Sequence, residues 1–337
     1  EALLAAALLA VSYHHIWFSQ NARGYTMLAF FAMLATHLLL RGVRHGRRRD
    51  FVGYAVAVAL GIFTHLTMVF VVAAHVLICA WLAFVMPRER RLDWRLPLLG
   101  FTVGGVLTLA LYAPIMTQVL AWFLHRPSKL LGVSTPAWAL REGLQMLRVG
   151  LGAGWTVVAG AAVFAIGLAA YLRRSPLTFA LFVLPGATTL AGALLGRGTM
   201  YPRFYFFLIG FALLIVVRGA GVIGAAIARV AGQRDAETAG ESRRTDQAAP
   251  GERIATAFVG LMIVASMLSL RYNYAYPKQA FQAAAAHVES SARPDEPVAV
   301  INATWYAYME YYGKPWTRIT SGEELDALRR SGRMVWL

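Results

Sequence analysis

The sequence contains little charge and a single cysteine. Only 15% of its 337 residues are Asp, Glu, Lys or Arg, whereas 58% are hydrophobic. An ordinary soluble domain carries about 25% charged residues, so the composition argues against a soluble globular protein. Cys79 lies within an apolar run, and a single cysteine excludes both an internal disulfide and a cysteine-based metal cluster.

The short motifs of soluble enzymes are missing as well. The sequence has no P-loop, no G-x-S-x-G, no H-E-x-x-H and no closely spaced cysteine pair. Its glycine-rich stretch G-L-G-A-G, residues 150–154, precedes an apolar run and follows no predicted strand. We therefore interpret this stretch as a turn into a helix and not as a nucleotide-binding loop.

Long apolar runs dominate what is present. Several of them approach the length of about 20 residues that crosses a bilayer as a helix, although the third is short. The runs cover about 3–17, 25–40, 51–64, 67–86, 97–119, 155–172, 177–195, 204–223 and 254–271. This pattern predicts a polytopic α-helical membrane protein with about nine transmembrane helices in the lipid bilayer.

Basic residues sort the loops between the runs into two groups. The net charge is +15, and it is concentrated in four segments, around residues 41–49, 88–95, 173–174 and 229–253. Short basic loops face the cytoplasm under the positive-inside rule, so we interpret this charge as a topology signal and predict no nucleic-acid partner. The alternate segments are then extracytoplasmic: residues 19–25, the turn at His65, the loops 120–154 and 196–203, and the C-terminal tail.

These loops predict the domain organisation. Residues 1–228 form a transmembrane helical domain, and its loop 120–154 contains an amphipathic helix opened by Pro136. A flexible cytoplasmic linker, 229–253, and a last transmembrane helix, 254–271, follow. Because the chain opens at Glu1 inside an apolar run and ends in a strand-like segment, we expect it to be truncated at both ends.

Residues 272–337 have the alternating pattern of a small extracytoplasmic α/β domain. Ser321 and Glu324 have the spacing of a helix-capping box. Helices are expected at 277–292, 305–312 and 321–330, and strands at 297–301, 316–319 and 334–337.

The extracytoplasmic loops carry a set of polar residues that we take as the candidate site. The set is rich in arginine and poor in carboxylates, which suits a phosphate or pyrophosphate because guanidinium groups pair with phosphate oxygens bidentately. Its members are Gln20, Asn21, Arg23, Tyr25, His65, His125, Arg126, Lys129, Arg197, Tyr201 and Arg203. The alternatives are that Arg23 and Arg203 anchor lipid head groups and that His65 is an ordinary interfacial residue.

Three of these segments resemble a known family. F-S-Q-N-A-R-G-Y at 18–25 leads into an apolar run, T-H at 64–65 forms an outer turn, and M-Y-P-R-F at 200–204 opens a later run. Together with the α/β tail, they resemble the bacterial branch of the GT-C glycosyltransferases (glycosyltransferase family 39-like). This branch contains the dolichyl-phosphate-mannose protein mannosyltransferases and the aminoarabinose lipid A transferases.

The resemblance implies a multi-pass enzyme of the bacterial inner membrane. Such an enzyme transfers a hexosyl or pentosyl group from a polyprenyl-phosphate carrier to an extracytoplasmic lipid, glycan or protein acceptor. Arg23, Tyr201 and Arg203 would then hold the carrier phosphate, and the catalytic acid is expected upstream of Glu1. Members of the family often carry a glutamate where this chain has Asn21. That difference weakens the expectation of a divalent metal, and no metal ligand or other cofactor is assigned.

Two other classes remain open from the sequence. A transporter or flippase for a lipid-linked or small anionic substrate would also combine apolar spans with polar loops. However, no acidic residue lies mid-span and no matched pair of interrupted spans is visible. The second alternative is a non-catalytic membrane scaffold whose tail binds a partner.

Overall fold

A computed structural model describes residues 1–20, 23–124, 136–151, 154–195, 201–236, 250–275, 280–301, 304–330 and 335–336. The chain divides into two compact units, Glu1–Asn273 and Tyr274–Leu337. The first unit is helical, and the second combines short strands with helices.

The helical unit contains helices α1 to α12. Helix α5 continues as a π-helix, Trp81–Val85, and a 3₁₀ segment, Pro202–Leu208, leads directly into α11. The helices are α1 Ala2–Ala10, α2 Tyr13–Ser19, α3 Tyr25–His45, α4 Arg48–Thr64, α5 Met68–Ala80, α6 Arg95–Tyr112, α7 Met116–Leu124, α8 Pro136–Leu151, α9 Gly154–Arg174, α10 Pro176–Leu195, α11 Ile209–Ala236 and α12 Pro250–Ala275.

The prediction of a polytopic helical membrane protein is confirmed. Among the described residues, seven helices are long and apolar enough to cross a membrane, and an eighth span results if α1 and α2, bent by 59°, count as one. The short third apolar run forms α4, which has 17 residues. Every apolar run predicted from the sequence is thus largely helical, although the first is divided between α1 and α2.

Small residues allow some of these helices to pack very closely. A Cβ atom at Gly167 of α9 would lie 1.9 Å from the carbonyl oxygen of Ile215 in α11. In the reverse direction, a Cβ atom at Gly219 of α11 would lie 2.1 Å from the carbonyl oxygen of Val163. The backbones of α9 and α11 therefore touch, as is common where membrane helices associate through small residues.

Three buried polar side chains join α3, α4 and α5 in the interior. Thr36 donates its hydroxyl proton to the carbonyl oxygen of Ala32 at 2.7 Å, so its oxygen accepts from His75 Nε2 at 3.1 Å. His75 Nδ1 then accepts from the Tyr54 hydroxyl at 3.2 Å. All the polar side-chain atoms of this group, which we call the core triad (Thr36, Tyr54 and His75), are hydrogen-bonded.

The two ends of α3 differ in chemistry. Its first residue is Tyr25, and its last turn is basic and ends at Gly46 with φ +64°. Near that second end, Arg41 pairs with the buried carboxylate of Asp50 at 3.3 Å. A helix of 21 residues is about 30 Å long, so the Tyr25 end and the basic end are separated by roughly the thickness of a bilayer.

The predicted amphipathic helix is present, whereas the predicted linker has helix at both of its ends. The amphipathic segment forms helix α8, which begins at Pro136 as expected. Helix α11 continues to Ala236 and α12 begins at Pro250. The segment interpreted as a linker, residues 229–253, therefore has helix at both of its ends, and residues 237–249 lie outside the described part.

The second unit is a small α/β fold. Strands β1, Ala299–Ile301, and β2, Thr317–Ile319, pair in parallel, with Val300 opposite Arg318. A parallel bridge joins Val298 to Trp336 on the other side of β1. The helices are α13 Phe281–Ser291, a π-helix Tyr306–Tyr311 and α14 Gly322–Arg329. The α/β prediction is confirmed for this region, and its extracytoplasmic location stays a prediction.

The predicted capping box at α14 is formed in part. The Ser321 hydroxyl accepts the backbone N–H of Glu324 at 3.3 Å, as the motif requires. The Glu324 carboxylate accepts its short backbone hydrogen bond, at 2.7 Å, from the N–H of Thr320. The backbone N–H and the hydroxyl of Thr320 both donate to this carboxylate, which stabilises its ionised form and lowers the pKa of Glu324.

Candidate functional site

Four of the predicted site residues meet at one end of the helical unit. The rings of Tyr25 and His65 lie 5.2 Å apart between centroids, and the Arg203 guanidinium carbon lies 4.4 Å from the centre of the Tyr201 ring. Phe204 links the two pairs, at 6.4 Å from His65 and 6.1 Å from Tyr201. We call this group the end cluster: Tyr25, His65, Tyr201, Arg203 and Phe204.

Glycine positions the first of these residues. A Cβ atom at Gly24 would lie 2.7 Å from Thr64 Cγ2 and 2.8 Å from the Thr64 carbonyl oxygen. Only glycine therefore lets the start of α3 reach the end of α4. Because Tyr25 follows Gly24 and His65 follows Thr64, this close approach brings the two rings into contact.

The surroundings of His65 favour its neutral form. It ends α4 in an extended conformation, φ −161° and ψ 125°, and its Nδ1 accepts the backbone N–H of Thr67 at 3.2 Å. Burial lowers the pKa of His65 below its ordinary value of 6.5, which favours the neutral ring. With Nδ1 occupied as an acceptor, the proton of the neutral ring resides on Nε2, which is left to donate to another group.

Arg203 is half-buried without its full set of partners. Tyr201 is extended and Pro202 starts the 3₁₀ segment, so the Arg203 side chain turns back over the Tyr201 ring. Arg203 Nε is buried and has no hydrogen-bond partner among the described residues. The hydroxyl of Tyr205, in the same segment, is also buried and unpartnered there. A buried polar group without a partner costs about 1–3 kcal/mol, and such a cost is common where a ligand completes the bonding.

Aromatic neighbours that sequence reasoning did not select surround the end cluster. Phe18 contacts Tyr25 at 5.3 Å and Phe206 at 4.3 Å between ring centroids. Trp138 of α8 meets the Tyr201 ring edge-on at 5.6 Å. The aromatic run F-Y-F-F at 204–207, directly after Tyr201 and Arg203, is a sequence signal for Phe206 but not for Phe18 or Trp138.

Two other predicted site residues, Gln20 and Arg23, are not brought into the cluster. Gln20 is exposed at the end of α2. Arg23 is also exposed, and among the described residues its side chain makes no hydrogen bond, ion pair or ring contact. The remaining candidates, Asn21, His125, Arg126, Lys129 and Arg197, lie outside the described residues.

The donor set of the end cluster does not fit a divalent metal. It offers one imidazole, one phenol pair and a guanidinium, and it contains no carboxylate. Across the described part of the chain, no three His, Cys, Asp or Glu side chains lie close enough to hold a metal ion. The arrangement instead presents a positive charge and hydrogen-bond donors, which are suited to an anion.

Comparison with known proteins supports the family resemblance in the N-terminal third. Neither the curated proteins nor the solved structures give a significant match. Residues 1–117, by contrast, match the family model described as dolichyl-phosphate-mannose-protein mannosyltransferase. The matched region contains Tyr25 and His65 and ends before Tyr201 and Arg203. Residues 1–117 are therefore similar to the dolichyl-phosphate-mannose-protein mannosyltransferase family, and the apolar helices make the chain a multi-pass membrane protein.

Proposed function

We propose that this protein transfers a sugar from a polyprenyl-phosphate carrier to an acceptor outside the cytoplasmic membrane, and that the end cluster binds the carrier phosphate. The observation that carries the proposal is Arg203, whose buried Nε lacks a partner among the described residues beside the Tyr201 ring. A phosphate oxygen at this position would accept from Nε and would be paired with a permanent positive charge.

In such a reaction Arg203 acts on the leaving group. The acceptor hydroxyl oxygen attacks the anomeric carbon, the bond from that carbon to the phosphate oxygen breaks, and the electron pair stays on the phosphate. A fixed guanidinium stabilises this developing charge, and removing one such donor typically costs about 100- to 1000-fold in rate. Tyr201 supports the guanidinium by keeping it over its ring.

In this proposal His65 donates a hydrogen bond to the substrate and is not the catalytic base. Its Nδ1 is occupied by the Thr67 N–H, so Nε2–H is available to a phosphate or sugar oxygen. The acceptor proton must pass to a base, which is usually a carboxylate or imidazole of matched pKa. We assign the base to no member of the end cluster.

Apolar surface beside the end cluster supports a prenyl-linked donor. Phe63 and Leu66 flank the turn at His65 and are 50% and 45% exposed, and Met27, just after Tyr25, is 56% exposed. A prenyl chain lying in the bilayer would contact such side chains while its phosphate reaches the end cluster.

The proposal is tested by donor turnover in membranes carrying the whole protein. We expect Arg203→Ala to lower transfer from a polyprenyl-phosphate sugar by about 100-fold or more. Arg203→Lys keeps the positive charge but loses the planar guanidinium group with its several N–H donors. Its transfer rate should stay at least about tenfold below that of the parent protein. Arg271→Ala is the matched control. It removes an arginine that also lies over a tyrosine ring, at 4.7 Å from Tyr272, but is exposed on α12.

Two outcomes would contradict the assignment. Full transfer by Arg203→Ala would remove Arg203 from the phosphate site. The transporter hypothesis would be favoured instead if the intact donor moved across the bilayer with no cleavage of its sugar–phosphate bond.

A further inference from the structure

The second unit carries exposed aromatic side chains that the proposed transfer site does not use. They lie on the π-helix Tyr306–Tyr311, which follows strand β1. Tyr306 is 60% exposed and Tyr311 is 80% exposed, although large aromatic side chains usually contribute to cores or interfaces. π-Helical turns are rare and are frequent at functional sites.

The π-helix arranges these side chains on one face. Its hydrogen bonds run from residue i to i+5, as in the bond from Tyr312 N to the Ala307 carbonyl at 3.0 Å, so residues four and five positions apart share a face. Tyr306, Glu310 and Tyr311 therefore lie on one side of the π-helix, and all three side chains are exposed. We call this surface the outer tyrosine face: Tyr306, Glu310 and Tyr311.

The opposite side of the π-helix holds it in place. Tyr308 packs between Phe281 of α13, at 5.4 Å, and Trp316, at 4.7 Å between ring centroids. The turn after the π-helix is tied to α13 by the ion pair of Lys314 with Glu289 at 2.5 Å. The outer tyrosine face is thus presented on a backbone that is fixed from behind.

Stacking also fixes the Tyr306 ring. Trp305 stacks on Tyr306 at 3.8 Å, and the Arg318 guanidinium of strand β2 lies 4.1 Å from the Trp305 ring. Trp305 thus holds the Tyr306 ring from one side, and Tyr306 remains 60% exposed. A preorganised ring of this kind loses little side-chain entropy when a ligand stacks on it.

The chemistry of this face selects its ligand. Flat, exposed aromatic rings favour a ligand with an apolar face, and a carboxylate on the same side of the helix favours one with hydroxyl donors. A pyranose ring has both, because one side of the ring presents C–H groups and its rim presents hydroxyls. We propose that the outer tyrosine face binds a neutral glycan, with sugar rings stacked on Tyr306 and Tyr311 and hydroxyls donated to Glu310.

Other occupants fit this face less well. An anionic lipid surface would be repelled by the exposed Glu310 carboxylate, and burying that charge in the bilayer is costly. A cationic peptide would be attracted by Glu310, so the experiment has to separate it from a glycan. The proposal concerns binding by the second unit and stands whether or not the end cluster transfers sugar.

The test uses the whole protein in lipid nanodiscs. It is presented with neutral oligosaccharides of glucose, mannose, galactose and N-acetylglucosamine, and with an oligolysine peptide. We expect at least one oligosaccharide to bind, with affinity about tenfold lower for Tyr306→Ala and for Tyr311→Ala. Glu310→Gln should weaken binding severalfold. Tyr274→Ala, at a tyrosine that is 66% exposed outside this face, is the control and should bind normally.

The proposal is overturned if no oligosaccharide binds, if the variants bind as well as the parent, or if only oligolysine binds. A second measurement addresses the bilayer. Cys79 is buried and is the sole cysteine, so Tyr311→Cys gives one accessible site for a spin label. We expect a label at position 311 to be accessible to a water-soluble relaxation agent. A label accessible only to a lipid-soluble agent would overturn the proposal.

Discussion

The core triad and the end cluster are two groups of polar side chains in the same helical unit, and they differ in whether their hydrogen bonds are complete. In the core triad, Thr36, Tyr54 and His75 use their polar side-chain atoms on each other and on the Ala32 carbonyl. In the end cluster, the buried Nε of Arg203 has no partner among the described residues.

We interpret the closed group as structural and the incomplete group as a place for a ligand. A closed network inside a membrane stabilises the packing of the helices that contribute to it, since each polar atom would otherwise be buried unpaired. An incomplete group lowers the stability of the ligand-free protein and is retained where a ligand completes it. On this basis we assign packing to His75 and phosphate binding to Arg203, and the following variants test that division.

The largest effect on stability is expected for His75→Ala. The substitution leaves the Tyr54 hydroxyl without its acceptor, removes the donor to Thr36 and opens a cavity between α3, α4 and α5. We expect a loss of about 2–4 kcal/mol in the free energy of unfolding, measured by denaturation of the purified protein. His37→Ala, at an exposed histidine of helix α3, is the control and should stay within about 0.5 kcal/mol.

Donor turnover per folded molecule should change little in His75→Ala. Normal stability with abolished turnover in His75→Ala would contradict the assignment of His75 to packing, because it would show that His75 takes part in catalysis.

An intermediate effect is expected for Gly24→Ala, which acts on the geometry of the end cluster. The new methyl group would meet the Thr64 carbonyl at 2.8 Å and push α3 away from the turn at His65. We expect a loss of about 1–3 kcal/mol in stability together with a fall in donor turnover, since Tyr25 and His65 separate. Gly105→Ala has no atom within 4 Å of the new Cβ and is the matched control. Equal behaviour of the two variants would show that the close approach at Gly24 is unimportant.

The smallest effect is expected for the titration of His65. Because burial lowers its pKa in the folded state, the unfolded chain binds more protons than the folded chain near the ordinary value of 6.5. Stability should therefore fall as the pH drops through that value and be unaffected well above it. His65→Asn keeps an acceptor near the Thr67 N–H but does not titrate, so it should show a smaller loss between pH 7 and pH 5. An unchanged pH profile would contradict this description of His65.

The sequence predicted the membrane fold and part of the end cluster for a clear reason. Apolar runs identify helices, and alternate loops of a multi-pass bundle lie at the same end. Tyr25, His65 and Tyr201 could therefore be grouped without knowing any contact. The alternation of strands and helices in the tail likewise follows from local patterns.

The rest depends on tertiary contacts that a sequence does not show. Arg23 and Arg203 were equivalent candidates from their loops, yet only Arg203 lies against a ring and has a buried Nε. The core triad was not predicted because its residues, at positions 36, 54 and 75, are single polar residues in separate apolar runs. Whether they meet depends on the rotation of three helices, which the apolar pattern leaves open.

The central claim is that Arg203 binds the phosphate of the carrier lipid. The thermal stability of the purified protein with added polyprenyl phosphate tests this claim most directly. A ligand that binds only the folded state stabilises it by about 2.7 kcal/mol at 100 times its dissociation constant. We expect polyprenyl phosphate to raise the melting temperature of the parent protein, and polyprenol without phosphate to have no such effect. Without ligand, the Arg203→Ala variant should melt near the temperature of the parent protein. Polyprenyl phosphate should not raise the melting temperature of this variant. An equal shift in Arg203→Ala and in the parent protein would contradict the account.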